Sequence, residues 1–83
     1  MLRKVVKDKV FIFGEVPTGD IDGINTIFLT DNMFEITSIK VYLNGLSLRE
    51  GLTNDFIINN STTIQLLDAP EIGDVLEVDY IEK

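Results

Sequence analysis

Ile39-Lys40-Val41-Tyr42-Leu43-Asn44-Gly45-Leu46-Ser47-Leu48 is the stretch that decides the fold class. Ile39, Val41 and Leu43 alternate with Lys40 and Tyr42, the period of a strand with one face on a core and the other in water. Asn44-Gly45 then interrupts the alternation. Both residues tolerate positive φ, which a two-residue type I′ turn requires at both central positions. The stretch reads as a β-hairpin, with Tyr42 facing outward.

The same period recurs on either side. In Thr63-Ile64-Gln65-Leu66, Ile64 and Leu66 share a face. In Val75–Ile81, Leu76, Val78 and Tyr80 oppose Glu77 and Asp79. Asn59-Asn60-Ser61 separates Phe56-Ile57-Ile58 from Thr62–Leu66 as a second hairpin, and Pro70-Glu71-Ile72-Gly73-Asp74 leads into the last strand. Upstream, a first strand is predicted over about Val5 to Phe13, with Pro17-Thr18-Gly19 and Asp22-Gly23 breaking the chain after it. Val10 to Phe13 is apolar on both faces, so that end is expected to be covered twice, the second time by a neighbouring subunit. The longest stretch free of Gly and Pro, Leu52 to Ala69, is rich in Thr, Asn and Ile, which are poor helix formers. The chain is therefore predicted to be one all-β domain over residues 1–83, a small antiparallel β-sandwich of jelly-roll or Ig-like kind with about six to eight short strands. Residues 1–16 are its N-terminal basic strand or arm.

With 83 residues the core is thin. A chain of this size hides only about 60% of its unfolded surface, and small domains usually add a disulfide, a metal or a partner. There are no cysteines and no histidines, so disulfides, thiol nucleophiles and zinc fingers are excluded and oligomerisation is the remedy left. No run of about 18 apolar residues occurs, so no membrane-crossing segment is expected. Val10-Phe11-Ile12-Phe13 is too short for a signal-peptide core, and no small-residue cleavage site follows, which points to a protein made in the cytoplasm.

Charge is unevenly placed. Residues 1–9 carry Arg3, Lys4, Lys7 and Lys9 against Asp8, a net of +3. The remainder carries Lys40, Arg49 and Lys83 against thirteen acids, a net of −10, for the whole-chain −7. An acidic body is repelled by phosphate, so a nucleic-acid partner is not expected. The basic end suits an acidic surface, and a second copy of the chain is one. Two readings stay open: an arm (Arg3, Lys4, Lys7, Lys9, Phe11, Phe13) exchanged with a neighbour's sheet edge, or an ordinary edge strand guarded by lysines.

Residues for catalysis are hard to assemble. Without histidine or cysteine no nucleophile–base pair appears, and paired carboxylates would need a cleft that so small a sandwich rarely forms. Asp20-Ile21-Asp22-Gly23-Ile24-Asn25 resembles a calcium loop only at its start, because the fifth and sixth positions are Ile24 and Asn25. A looser calcium site at a sheet edge and a plain tight turn remain; in the latter Asp22 caps, Gly23 supplies positive φ and Asn25 bonds to backbone. No cofactor or metal is expected. Asp22, Gly23, Asn25, Asn44, Gly45, Gly73 and Asp74 are read as turn residues.

Three segments, taken in order, resemble a β module that recurs in tailed-phage virion proteins, in tail-fibre, neck and head-accessory subunits. Pro17-Thr18-Gly19-Asp20-Ile21-Asp22-Gly23-Ile24-Asn25-Thr26-Ile27-Phe28 is similar to its opening. Val41-Tyr42-Leu43-Asn44-Gly45-Leu46-Ser47-Leu48-Arg49-Glu50-Gly51 with Asp55-Phe56 is similar to its hairpin, Phe56 standing where the module usually has Tyr. Pro70-Glu71-Ile72-Gly73-Asp74-Val75-Leu76-Glu77-Val78-Asp79-Tyr80 is similar to its closing strand. The resemblance covers residues 17 to 80 and leaves residues 1–16 outside. It implies a β-sandwich without enzymatic activity, used as a structural piece of a virion and commonly trimeric. The expected partners are copies of itself and other capsid or tail proteins, and the expected place is the virion, assembled in the bacterial host cytoplasm. A compact accessory subunit follows: head decoration, collar or neck, or fibre attachment. The alternative is a receptor- or glycan-binding β-sandwich with an aromatic patch around Tyr42. A third reading is an accessory module of a carbohydrate enzyme.

Overall fold

A computed structural model describes residues 1–83. Eight strands form in order: β1 Leu2–Val6, β2 Lys9–Glu15, β3 Ile27–Leu29, β4 Lys40–Leu43, β5 Leu46–Ser47, β6 Phe56–Asn60, β7 Thr63–Leu66 and β8 Leu76–Ile81. They make a five-stranded sheet, β1-β2-β8-β4-β5, and a three-stranded sheet, β3-β7-β6. Every neighbouring pair is antiparallel. The chain is an all-β sandwich without a helix.

The core lies between the sheets. Ile12, Val41, Leu76, Val78 and Tyr80 project from the larger sheet, and Phe28, Phe56, Ile64 and Leu66 from the smaller, with Phe34 and Ile39 closing one end. β8 runs between β2 and β4, and its burial alternates strictly, as its sequence does. The β4–β5 turn has φ of 52° at Asn44 and 82° at Gly45, the left-handed conformation of a type I′ hairpin. β6 and β7 form the second hairpin, with Ser61-Thr62 as the turn.

Asn44 does more than turn the chain. Its Nδ2 donates to Asp74 Oδ1 (3.0 Å), its Oδ1 accepts the Val75 N–H (2.8 Å), and its own N–H donates to the Val75 carbonyl (2.8 Å). The hairpin tip is thereby stitched to the loop that feeds β8. Asn44→Ala is expected to cost about 2 kcal/mol in urea unfolding, from a non-glycine residue forced left-handed and two side-chain hydrogen bonds lost. Asn44→Gly recovers the backbone part alone.

The N-terminal region departs from the sequence reading. The predicted single strand over Val5 to Phe13 is instead a hairpin, β1 paired with β2 from Leu2↔Phe13 to Val6↔Lys9. The turn is Lys7-Asp8, with φ of 50° and 65°. Lys-Asp is a weak turn signal, and Lys7 and Lys9 keep the alternation going through the bend, so the pattern conceals it. Residues 1–16 thus fold back on their own chain as the edge of the larger sheet.

The smaller sheet does not extend over that edge. All five residues of β1 are exposed, including Val5 on the core side of the sheet at 58%. The other sheet edges are short or covered. β5 has two residues. β3 is bridged by Thr18 across Leu29, and the start of β6 by Glu50. β1 presents five residues with no strand beside it.

Candidate functional site

Two surface features and one buried cluster carry the chemistry of the chain. The first feature is the basic β1–β2 hairpin. The register places Lys4, Lys9, Phe11 and Phe13 on the outer face of the larger sheet, Arg3 on the opposite face and Lys7 at the tip. The six residues expected to act as one arm are therefore divided between two faces and a turn. Arg3 makes a loose pair with Glu82, Nη2 to Oε2 3.9 Å, largely in solvent and worth under about 1 kcal/mol. The other cations of the hairpin have no carboxylate within 4.0 Å.

The second feature is an open groove of about 530 Å³ on the outer face, around β2, β8 and β4. Phe11 and Phe13 stand parallel, centroids 6.3 Å apart and 7° between planes, along one wall. Tyr42 lines it from β4, with Lys40 and Asp79 opposite each other in the β4–β8 register and Thr37 also in the lining. Phe13 is 38% exposed and Phe11 half-buried, so these two lie outside the core.

The buried cluster was not legible in the sequence. Between Ile12↔Tyr80 and Glu15↔Val78, two residues of β2 oppose one of β8. This is a β-bulge, with Gly14 at φ 65° and its N–H donated to Asp79 Oδ1 (2.8 Å). Strict alternation from Ile12 would send Glu15 outward, and the bulge turns it into the core, where it is 2% exposed. Its carboxylate accepts the Tyr80 hydroxyl proton (2.5 Å) and the Asp31 N–H (2.9 Å). Burial, then the hydrogen bond to Glu15, pushes the Tyr80 phenol up to about 12. An unfolded phenol titrates near 10, so this contribution to stability is complete below about pH 10 and is lost as pH rises towards 12. In a Tyr42→Phe variant Tyr80 is the sole tyrosine, and its phenolate absorbance is expected near pH 12 folded and near pH 10 in denaturant.

The turn residues hold backbone. Asp22 Oδ1 accepts the N–H groups of Asn25 (2.8 Å) and Ile24 (2.9 Å), and Asn25 Nδ2 donates to the carbonyls of Ile27 (2.9 Å) and Asp20 (3.2 Å). Gly23 has φ 80° and donates to the Pro70 carbonyl. Asp74 Oδ2 caps the Glu71 N–H, and Gly73 is at φ 96°. These bonds hold two carboxyls below the usual range: Asp22 through Asn25 first and Ile24 next, Asp74 through Asn44 first and Glu71 next. Their contribution is present above about pH 3.9 and is lost as pH falls through the lowered values. Asp22 and Asn25 thus form the tight turn, and no group of three acidic residues is disposed to hold a metal ion. Compared with known proteins, the chain matches no family model, no curated protein and no solved structure.

Proposed function

We propose that the chain is a non-enzymatic structural subunit of a tailed-phage virion, a head-decoration, collar or neck, or fibre-attachment protein that docks onto copies of itself and onto capsid or tail proteins. The observation that carries the reading is the β1 edge. It is the one long strand edge left without a neighbour, it is exposed on both faces, and it belongs to the basic end of an acidic chain. An open edge of this kind accepts another strand through backbone hydrogen bonds, and its lysines select an acidic partner over indiscriminate pairing. The resemblance to virion modules supports the same reading. Its three segments are joined in space, Asn44 of the second to Asp74 of the third and Gly23 of the first to Pro70 of the third. Many copies on a symmetric particle turn weak single contacts into a tight array, and the resemblance favours a trimer.

Native mass spectrometry of the purified chain and proteomics of purified virions test this. The expected result is a trimer or larger ring and a polypeptide that bands with the particles. Lys4→Glu, Lys7→Glu and Lys9→Glu together are expected to yield a folded monomer, since all three side chains are exposed. A wild-type monomer absent from virions overturns the reading.

A further inference from the structure

We infer that the groove on the outer face of the larger sheet is a binding site for a neutral pyranose, as a monosaccharide or the end of a short glycan. The groove is formed by one chain, so the inference does not rest on assembly. Its volume of about 530 Å³ lies within the roughly 300–1,000 Å³ of small-molecule clefts. Its walls offer three aromatic rings, Phe11, Phe13 and Tyr42. Among its polar groups, Lys40 Nζ, Thr37 Oγ1, Tyr42 Oη and Asp79 Oδ2 make no hydrogen bond or ion pair within the chain. Donors and acceptors thus stand free beside apolar ring surface.

The choice of ligand follows from that mixture. Apolar side chains laid in the groove would strip water from four polar groups and return no hydrogen bonds, a costly exchange. A pyranose has an apolar C–H face for the rings and hydroxyls that both donate and accept. Lys40 and Asp79 oppose each other and cancel in charge, which favours a neutral ring over a sugar acid or an amine. Nucleobases would also stack on the rings, but their phosphates meet a chain of net charge −7.

The test is titration of ¹⁵N-labelled full chain with methyl glucosides, galactosides and mannosides, maltotriose, cellotriose and diacetylchitobiose. At least one sugar is expected to give saturable amide shifts confined to Phe11, Phe13, Lys40, Tyr42 and Asp79. Tyr42→Ala is expected to weaken that sugar by about tenfold or more, Tyr42→Phe by less, because the ring remains. Lys40→Gln, at an exposed position outside the core, reports on the polar side if Tyr42→Ala fails to fold, and is also expected to weaken binding. The inference is overturned if no sugar gives a saturable shift, if the shifts fall on the smaller sheet, or if neither Tyr42→Ala nor Lys40→Gln changes affinity.

Discussion

Tyr80→Phe, the loss of a single oxygen, is expected to destabilise the domain by about 3 kcal/mol in urea unfolding. The hydroxyl is the side-chain donor to the Glu15 carboxylate, which is buried and has no cation beside it. Removing a partner from a buried charge costs more than the hydrogen bond nets, because the charge stays behind with less to solvate it. For a chain of this length total stability is on the order of 4–12 kcal/mol, so the loss is a large share. The double replacement Glu15→Leu with Tyr80→Phe is expected to recover most of it. The charge is then gone and an apolar pair fills the volume, leaving the Asp31 N–H as the one donor that loses its partner. Equal costs for the single and double variants would show that the interaction with Glu15 is not what Tyr80 supplies.

Gly19→Ala is expected to cost about 3 kcal/mol and to lower Tm by roughly 12–24 °C. At φ 158° the backbone lies where L side chains are rarely found, so Ala is strained there, and space is the second obstacle. A Cβ at Gly19 would sit 2.5 Å from Phe28 Cδ1 and 2.8 Å from the Ile27 carbonyl oxygen. Phe28 is fully buried, and the carbonyl belongs to β3, so neither can retreat without disturbing the core. Combining Gly19→Ala with Phe28→Leu is expected to cost less than the sum of the two singles, since the smaller side chain gives room. Gly45→Ala is the contrast: nothing lies within 4 Å of its Cβ, φ is 82°, and the expected cost is the left-handed penalty of about 1–2 kcal/mol. Strict additivity of Gly19→Ala and Phe28→Leu would remove the steric explanation.

The parts of the fold that were legible in the sequence are those whose causes are local. Val41 and Leu43 alternate with Lys40 and Tyr42, and β4 follows; Leu76, Val78 and Tyr80 alternate, and β8 follows. Asn44-Gly45 forms its turn because both residues accept the left-handed region. The candidate site was partly legible. Tyr42 could be assigned to the outer face from its period, and the basic character of the N-terminal end from its charge, but not its hairpin. That Phe11 and Phe13 join Tyr42 across β8 could not be read, because strands adjacent in space are distant in sequence, and either phenylalanine taken alone looks like core.

By itself the sequence determined an acidic all-β chain, the faces of its strands, the positions of most turns, and the absence of thiol and imidazole chemistry. Those properties follow from side-chain periodicity, φ preference and ionisation, which each residue carries into any fold. The tertiary structure decided what depends on which strands become neighbours and how far one sheet covers the other. It bent residues 2–15 into a hairpin, left β1 uncovered, inserted the bulge that buries Glu15 beneath Tyr80, and brought Lys40, Tyr42 and Asp79 beside two phenylalanines. Register is the physical reason: a single extra residue in β2 changes which side chains enter the core, and it depends on β8, more than sixty positions away.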